Sequence, residues 1–143
     1  MKVIPAISVQ NAHWTAIAAL LDAQTAPGKL QIYTGTRPAS GGTLSGNTKM
    51  IEFVLKKPCT NAITGGVWTL ADIDYAQVLA TGTHTFARMV DGSGNFVADI
   101  DTGVTSVTLA DGTFGALLLS KANYSAGEYI LFPPSSLVFQ FPT

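Results

Sequence analysis

Asp91, Ser93 and Asn95 in "DGSGNFVADID" stand at the alternate positions where a helix–loop–helix calcium site places its first oxygen ligands. The pattern fails where the metal geometry is strictest. Phe96 occupies the position that needs glycine, Thr102 the position of the bidentate glutamate, and no helical periodicity flanks the stretch. Residues 91–95 tolerate positive φ or close Asx turns, so the segment reads instead as a hairpin joining "FARMV" to "FVADI". Asp99 and Asp101, two apart, share one face of the second strand. Paired carboxylates of that kind serve glycoside hydrolysis only in a pocket that raises one of their pKa values.

A second stretch, "IYTGTRPASGG" at residues 32–42, has the glycine content of a phosphate-cradling loop but not its order. Pro38 interrupts it, no lysine precedes Thr43, and a strand pattern follows where a helix N-terminus would be required. The reading is a strand ending in a proline–glycine corner, with Arg37 free to reach a carboxylate. His13 and His84 have no serine or cysteine partner at a recognisable spacing. One cysteine and two distant histidines exclude a Cys/His metal set, and Cys59 reads as a small buried hydrophobe. No catalytic residue, cofactor or metal is expected.

The elements that would position these residues are mostly strands. "NAHWTAIAALLDAQ" sets Trp14, Ile17, Ala18 and Leu21 at helical spacing, and the spacing predicts one amphipathic helix over 11–24, stopped by "APG". After Gly28 the texture becomes Val, Ile, Thr and aromatic runs bounded by Gly, Asp, Asn, Pro and Ser. Eight strands are expected, at 29–34, 49–56, 66–71, 83–90, 95–100, 104–110, 128–132 and 136–141. Leu30 and Ile32 alternate with Lys29, Gln31 and Tyr33; Ile51, Phe53 and Leu55 alternate with Met50, Glu52 and Val54. With no helical patterns between strands, the expected fold is mainly β: an antiparallel jelly-roll-like sandwich in one domain over 1–143. Residues 1–10, broken by Pro5, are expected to form an extended arm.

Eight basic and nine acidic side chains in 143 residues make the chain 12% charged, against 47% apolar, with a mean hydropathy of +0.31. Soluble domains usually carry about 25% charge. Such a surface suits a protein that hides much of its outside against a partner or copies of itself. A net charge of −1 and scattered basic residues argue against nucleic acid. No apolar run approaches the ~20 residues of a helical membrane span, and "MKVIPAISVQN" lacks a secretory pattern.

The succession of an "LLDA" helix, "PGKLQIYTGTRPASGGTLSGNT", "ATGTHTFARMVDGSGNFVADIDTG" and a late "AG" turn resembles a family of small structural proteins encoded in tailed-phage genomes and prophages. The likeness runs from about Ala16 to the final proline and is carried by "IYTGTRPA" and "ATGT-T-FAR-VD-G". It departs at "TFGALLLSKANYS", more apolar here than in the family. The resemblance implies an all-β capsid cement or decoration protein on the virion surface, made in the host cytoplasm. Its implied partners are the major capsid protein and copies of itself, a homotrimer being favoured. The alternatives it leaves are a tail, neck or head-fibre component, or a carbohydrate- or host-surface-binding module using Trp14, Trp68, Tyr33 and Tyr75 as stacking platforms. The expected subunit or capsid contacts are Lys2, Val3, Ile4, Pro5 and Ile7 of the arm, with Arg37.

Overall fold

Among the described residues there is one α-helix, α1 (Ile7–Leu21). The computed structural model describes residues 4–104 and 116–141. The helix is set four residues earlier than its periodicity suggested, so residues 7–10, expected in the arm, form its first turn. The Ala6 carbonyl accepts the Val9 and Gln10 amides, and the Gln10 side-chain amide donates back to the Pro5 carbonyl at 2.7 Å, closing the turn against the proline. The helix stops at Asp22, whose carboxylate accepts the Cys59 amide at 3.0 and 3.1 Å and so turns toward the sheets. Lys2 and Val3 lie outside the described residues.

The strands follow. They are β1 (Lys29–Tyr33), β2 (Lys49–Val54), β3 (Thr60–Thr64), β4 (Val67–Leu70), β5 (Ala76–Gln77), β6 (Gly82–Thr83), β7 (Phe86–Val90), β8 (Phe96–Gly103), β9 (Ala116–Leu118), β10 (Asn123–Tyr124), β11 (Tyr129–Ile130) and β12 (Val138–Gln140). The largest sheet runs β2-β1-β7-β8-β9, antiparallel throughout except for the parallel pair β8–β9. A three-stranded sheet runs β12-β4-β3, and two short ribbons pair β10 with β6 and β11 with β5.

The mainly β class, the single helix and the antiparallel sheets are as expected. The described strands divide into four sheets, and one edge of the largest is parallel; this arrangement does not by itself establish a jelly-roll-like sandwich. Residues 105–110 of the expected strand at 104–110 lie outside the described residues. Strands β3, β5, β9 and β10 were not foreseen, because each is short or lacks clear alternation.

The alternation in β1 and β2 sets the core. Leu30 pairs with Phe53 and Met89, and Ile32 with Ile51 and Ala87, all six fully buried on one face of the sheet. The helix, lying on β3 and β4, turns Ala18 and Leu21 into the same core and packs Trp14 and Ile17 against it. There Trp14 stacks on Trp68 at 5.9 Å, meets Phe139 and Phe141, and donates from its indole N–H to the Gly66 carbonyl at 2.9 Å. An indole N–H half-withdrawn from water needs such an acceptor.

Candidate functional site

The other face of the large sheet carries a polar row between the stacked Tyr33 and Phe86 and the buried Val90. Because Gln31 pairs with both Glu52 and Arg88, and Arg88 with Asp99, four polar residues from four strands stand in one lateral row. Arg88 and Asp99 form a bidentate pair, Nε to Oδ1 at 2.8 Å and Nη2 to Oδ2 at 2.9 Å. That pair raises the guanidinium further above its ordinary pKa. Gln31 donates to Glu52 at 2.8 Å and accepts the Tyr33 hydroxyl at 3.0 Å. Lys29 and Lys49 close on the same glutamate at 3.3 and 2.7 Å. Burial pushes the Glu52 carboxyl up, but hydrogen bonds from Lys49, Gln31 and Lys29 outweigh it and hold it at about 2. Burial pushes the Tyr33 phenol up.

The proline–glycine corner folds over this row. Arg37 reaches Asp101 within the chain at 3.2 Å, and the Gly42 carbonyl accepts both terminal nitrogens of Arg88 at 3.2 Å. Asn47 donates to the Thr34 and Thr36 carbonyls at 2.9 Å, pinning the corner at its base. Gly41, at φ 69°, lies against the Phe96 ring so closely that a Cβ there would meet ring carbons at 2.3 Å. The ring in turn takes the Arg88 guanidinium at 4.9 Å. The glycines of "TGTRPASGG" therefore serve backbone shape, as their order suggested.

Each residue singled out for chemistry is occupied structurally. Asp99 and Asp101 do share a face, but each is paired with an arginine of the chain itself, Asp99 with Arg88 and Asp101 with Arg37. Asp91 accepts the Ser93 and Asn95 amides and the Asn95 side chain at 2.8–2.9 Å. The Asn95 side chain is the main cause of a carboxyl held below its usual range. The hairpin β7–β8 forms as expected, and no cluster of three metal-ligating side chains occurs among the described residues.

His84 lies between β6 and β7, buried, with Nδ1 2.7 Å from the Thr102 hydroxyl and Nε2 donating to the Lys121 carbonyl at 2.9 Å. His13 stands exposed, edge-on to Trp14 and Phe141. Burial and the neighbouring Asp22 carboxylate push the Cys59 thiol up to about 12, far from a nucleophile. Among the described residues no buried side-chain nitrogen or oxygen lacks a hydrogen-bond partner.

What the chain leaves unpartnered is apolar. Ile7, Val9 and Leu20 are each more than half exposed on a helix without one charged residue, and Ile4 is equally exposed just before it. Of the proposed stacking platforms, Trp68 and Tyr33 are buried, Trp14 is packed on Trp68, and Tyr75 alone stands open. Sequence reasoning missed the Arg88–Asp99 pair and the exposed Tyr129 and Leu131. The parity of Arg88 in "FARMV" against Asp99 in "FVADI" was the available signal for the pair.

No family model and no solved structure matches the chain. Among curated proteins it is similar to the ATP synthase epsilon chain of Rhodococcus erythropolis, 27% identical over 124 residues that span 85% of this chain and 92% of that protein. This finding overturns the virion reading. The role as capsid cement or decoration protein, its tail and surface-binding alternatives, the major capsid protein and a homotrimer as partners, and the capsid surface as location are corrected accordingly. The relative is named as a chain of an ATP synthase, not as a part of a phage particle.

Proposed function

We propose that the protein is a non-catalytic subunit that acts by binding a different protein chain. The observation that carries this reading is the uncharged helix α1, which keeps Ala18 and Leu21 in the core while Val9 and Leu20 stand open along it and Ile4 and Ile7 stand open at its start. An exposed apolar strip of this kind is a docking surface in a soluble assembly. Ile4, Pro5 and Ile7 are contact residues in this reading. Arg37, half exposed and paired with the chain's own Asp101, remains a contact residue of the proposal.

The similarity to an ATP synthase epsilon chain supports membership of a multi-chain assembly and names one to test. The satisfied carboxylates and the withdrawn thiol agree with a non-catalytic role. The experiment is co-sedimentation with ATP synthase from Rhodococcus erythropolis stripped of its epsilon chain. The protein is expected to co-sediment, and Val9→Asp with Leu20→Asp to weaken binding at least tenfold, about 1.4 kcal/mol. Absence of co-sedimentation overturns the ATP synthase placement. Co-sedimentation unchanged by the substitutions overturns the helix face as the contact.

A further inference from the structure

The two halves of α1 are held to the sheets by different means. Ile7, Asn11, Trp14, Ala18 and Leu21 follow the i, i+4, i+7 spacing of one helix face. Along the second half that face is apolar and covered: Ala18 and Leu21 are buried, Trp14 and Ile17 pack on the core, and the Ala18 carbonyl accepts the Cys59 thiol at 3.7 Å. Along the first half it is neither. Ile7 is 58% exposed, Asn11 puts an amide where the stripe calls for an apolar side chain, and no residue from 7 to 13 is buried.

The tip of the β3–β4 hairpin holds this first half. Gly65 and Gly66, at φ 62° and 81°, make the two-residue turn between Thr64 and Val67. The turn aims the Gly66 amide at Asn11 Oδ1, 2.8 Å away, while the Gly66 carbonyl takes the Trp14 indole at 2.9 Å. A Cβ on Gly66 would meet Gln10 Oε1 at 2.1 Å, so glycine lets the helix come this close. His13 adds an edge contact to Phe141 at 5.0 Å. The helix start brings little support of its own, since Ala6 at the N-cap supplies no side-chain acceptor and no acidic residue stands in the first turn.

We propose that α1 is a two-part element whose residues 7–13 open and close on a latch formed by Asn11 and the Gly66 amide, while residues from Trp14 onward stay shut. Beyond the helix's own backbone bonds, opening breaks the Asn11–Gly66 bond and takes no buried residue out of the core. It therefore occurs far more readily than global unfolding. Opening past Trp14 would part its ring from Trp68, Phe139 and Phe141 and release the Gly66 carbonyl, which sets the stop. Val9 rides on the opening half and Leu20 on the fixed one, about three turns apart and so on one side of the closed helix. The latch decides whether those two side chains are presented together. The inference concerns the free chain and goes beyond the partner reading above, so its test needs no partner.

That test is hydrogen exchange of the full chain, read amide by amide and corrected for intrinsic rates. Amides 9–13 are expected to exchange on the order of a hundredfold faster than amides 18–21. Asn11→Ala separates a latch from ordinary fraying, because alanine is the better helix former. With the latch, the substitution speeds exchange at 9–13 by about threefold, the lost hydrogen bond outweighing the gain in propensity, and leaves 18–21 unchanged. Ser8→Ala, on the exposed side of the same half, gains propensity with the latch intact and is expected to slow exchange at 9–13. Both variants are checked for folding by circular dichroism. Equal rates in the two halves overturn the proposal, since the helix would then open as one unit. So does exchange at 9–13 that Asn11→Ala slows or leaves alone, or an acceleration that reaches 18–21 equally.

Discussion

Arg88 and Asp99 face each other across β7 and β8 with both guanidinium-to-carboxylate bonds made and side chains only 8% and 5% exposed. Taking away one partner leaves the other charge withdrawn from water. Asp99→Ala is expected to cost about 3–5 kcal/mol in urea unfolding, whereas Arg88→Met combined with Asp99→Leu is expected to cost less than either single change. A double variant as unstable as the sum of the singles would show that the two side chains are not coupled and would overturn this account.

Gly41 packs against the Phe96 ring of β8. Gly41→Ala places a methyl inside the Phe96 ring at a left-handed φ and is expected to destabilise by about 1–3 kcal/mol. Phe96→Leu in the same chain should recover part of that loss in thermal unfolding, because the ring causes the clash. The φ strain remains in either background.

Glu52 governs part of the acid limb. Its carboxyl titrates at about 2 in the folded chain, below its ordinary value near 4.5. The unfolded state therefore binds the proton first as pH falls. The stabilisation is complete above about pH 4.5 and is lost progressively as pH drops through 2. Glu52→Gln is expected to be less stable than the wild type at pH 7 and to show a flatter decline between pH 5 and 2, measured by urea midpoints across that range.

Trp14 joins the helix to the three-stranded sheet through Trp68, Phe139, Phe141 and the Gly66 carbonyl. Trp14→Ala is expected to cost about 3 kcal/mol and to lower the melting temperature by roughly 6–12 °C. Trp14→Phe keeps the stack and loses the hydrogen bond, so its cost in calorimetry should be the smaller of the two.

The legible part of the fold is where side-chain parity meets a buried face. Leu30 and Ile32, or Ile51 and Phe53, must point one way, and the hairpin from Phe86 to Asp101 is announced by the turn chemistry of Asp91 and Asn95. Two-residue strands such as β5 and β6 carry no such pattern, since their pairing comes from distant neighbours. The helix boundary moved because the Gln10 side chain closes on the Pro5 carbonyl, a bond that periodicity does not register. Arg37 was read as an arginine available to a partner, and its own Asp101 lies 64 residues away in sequence but 3.2 Å away in space. The outward Tyr129 and Leu131 were hidden for the opposite reason: "EYILF" looks like any strand core until β5 shows which side is in.

The Asp22 carboxylate on the Cys59 amide, and the Trp14 indole on the Gly66 carbonyl, have a bearing on the order in which the molecule is made. Those contacts span 37 and 52 residues, and the remaining walls around Trp14 are Phe139 and Phe141. Closing loops of that length costs entropy that only later contacts repay. The uncharged helix thus precedes every one of these partners in the chain and is enclosed only once the strands that follow it have been made, its apolar stripe open until then.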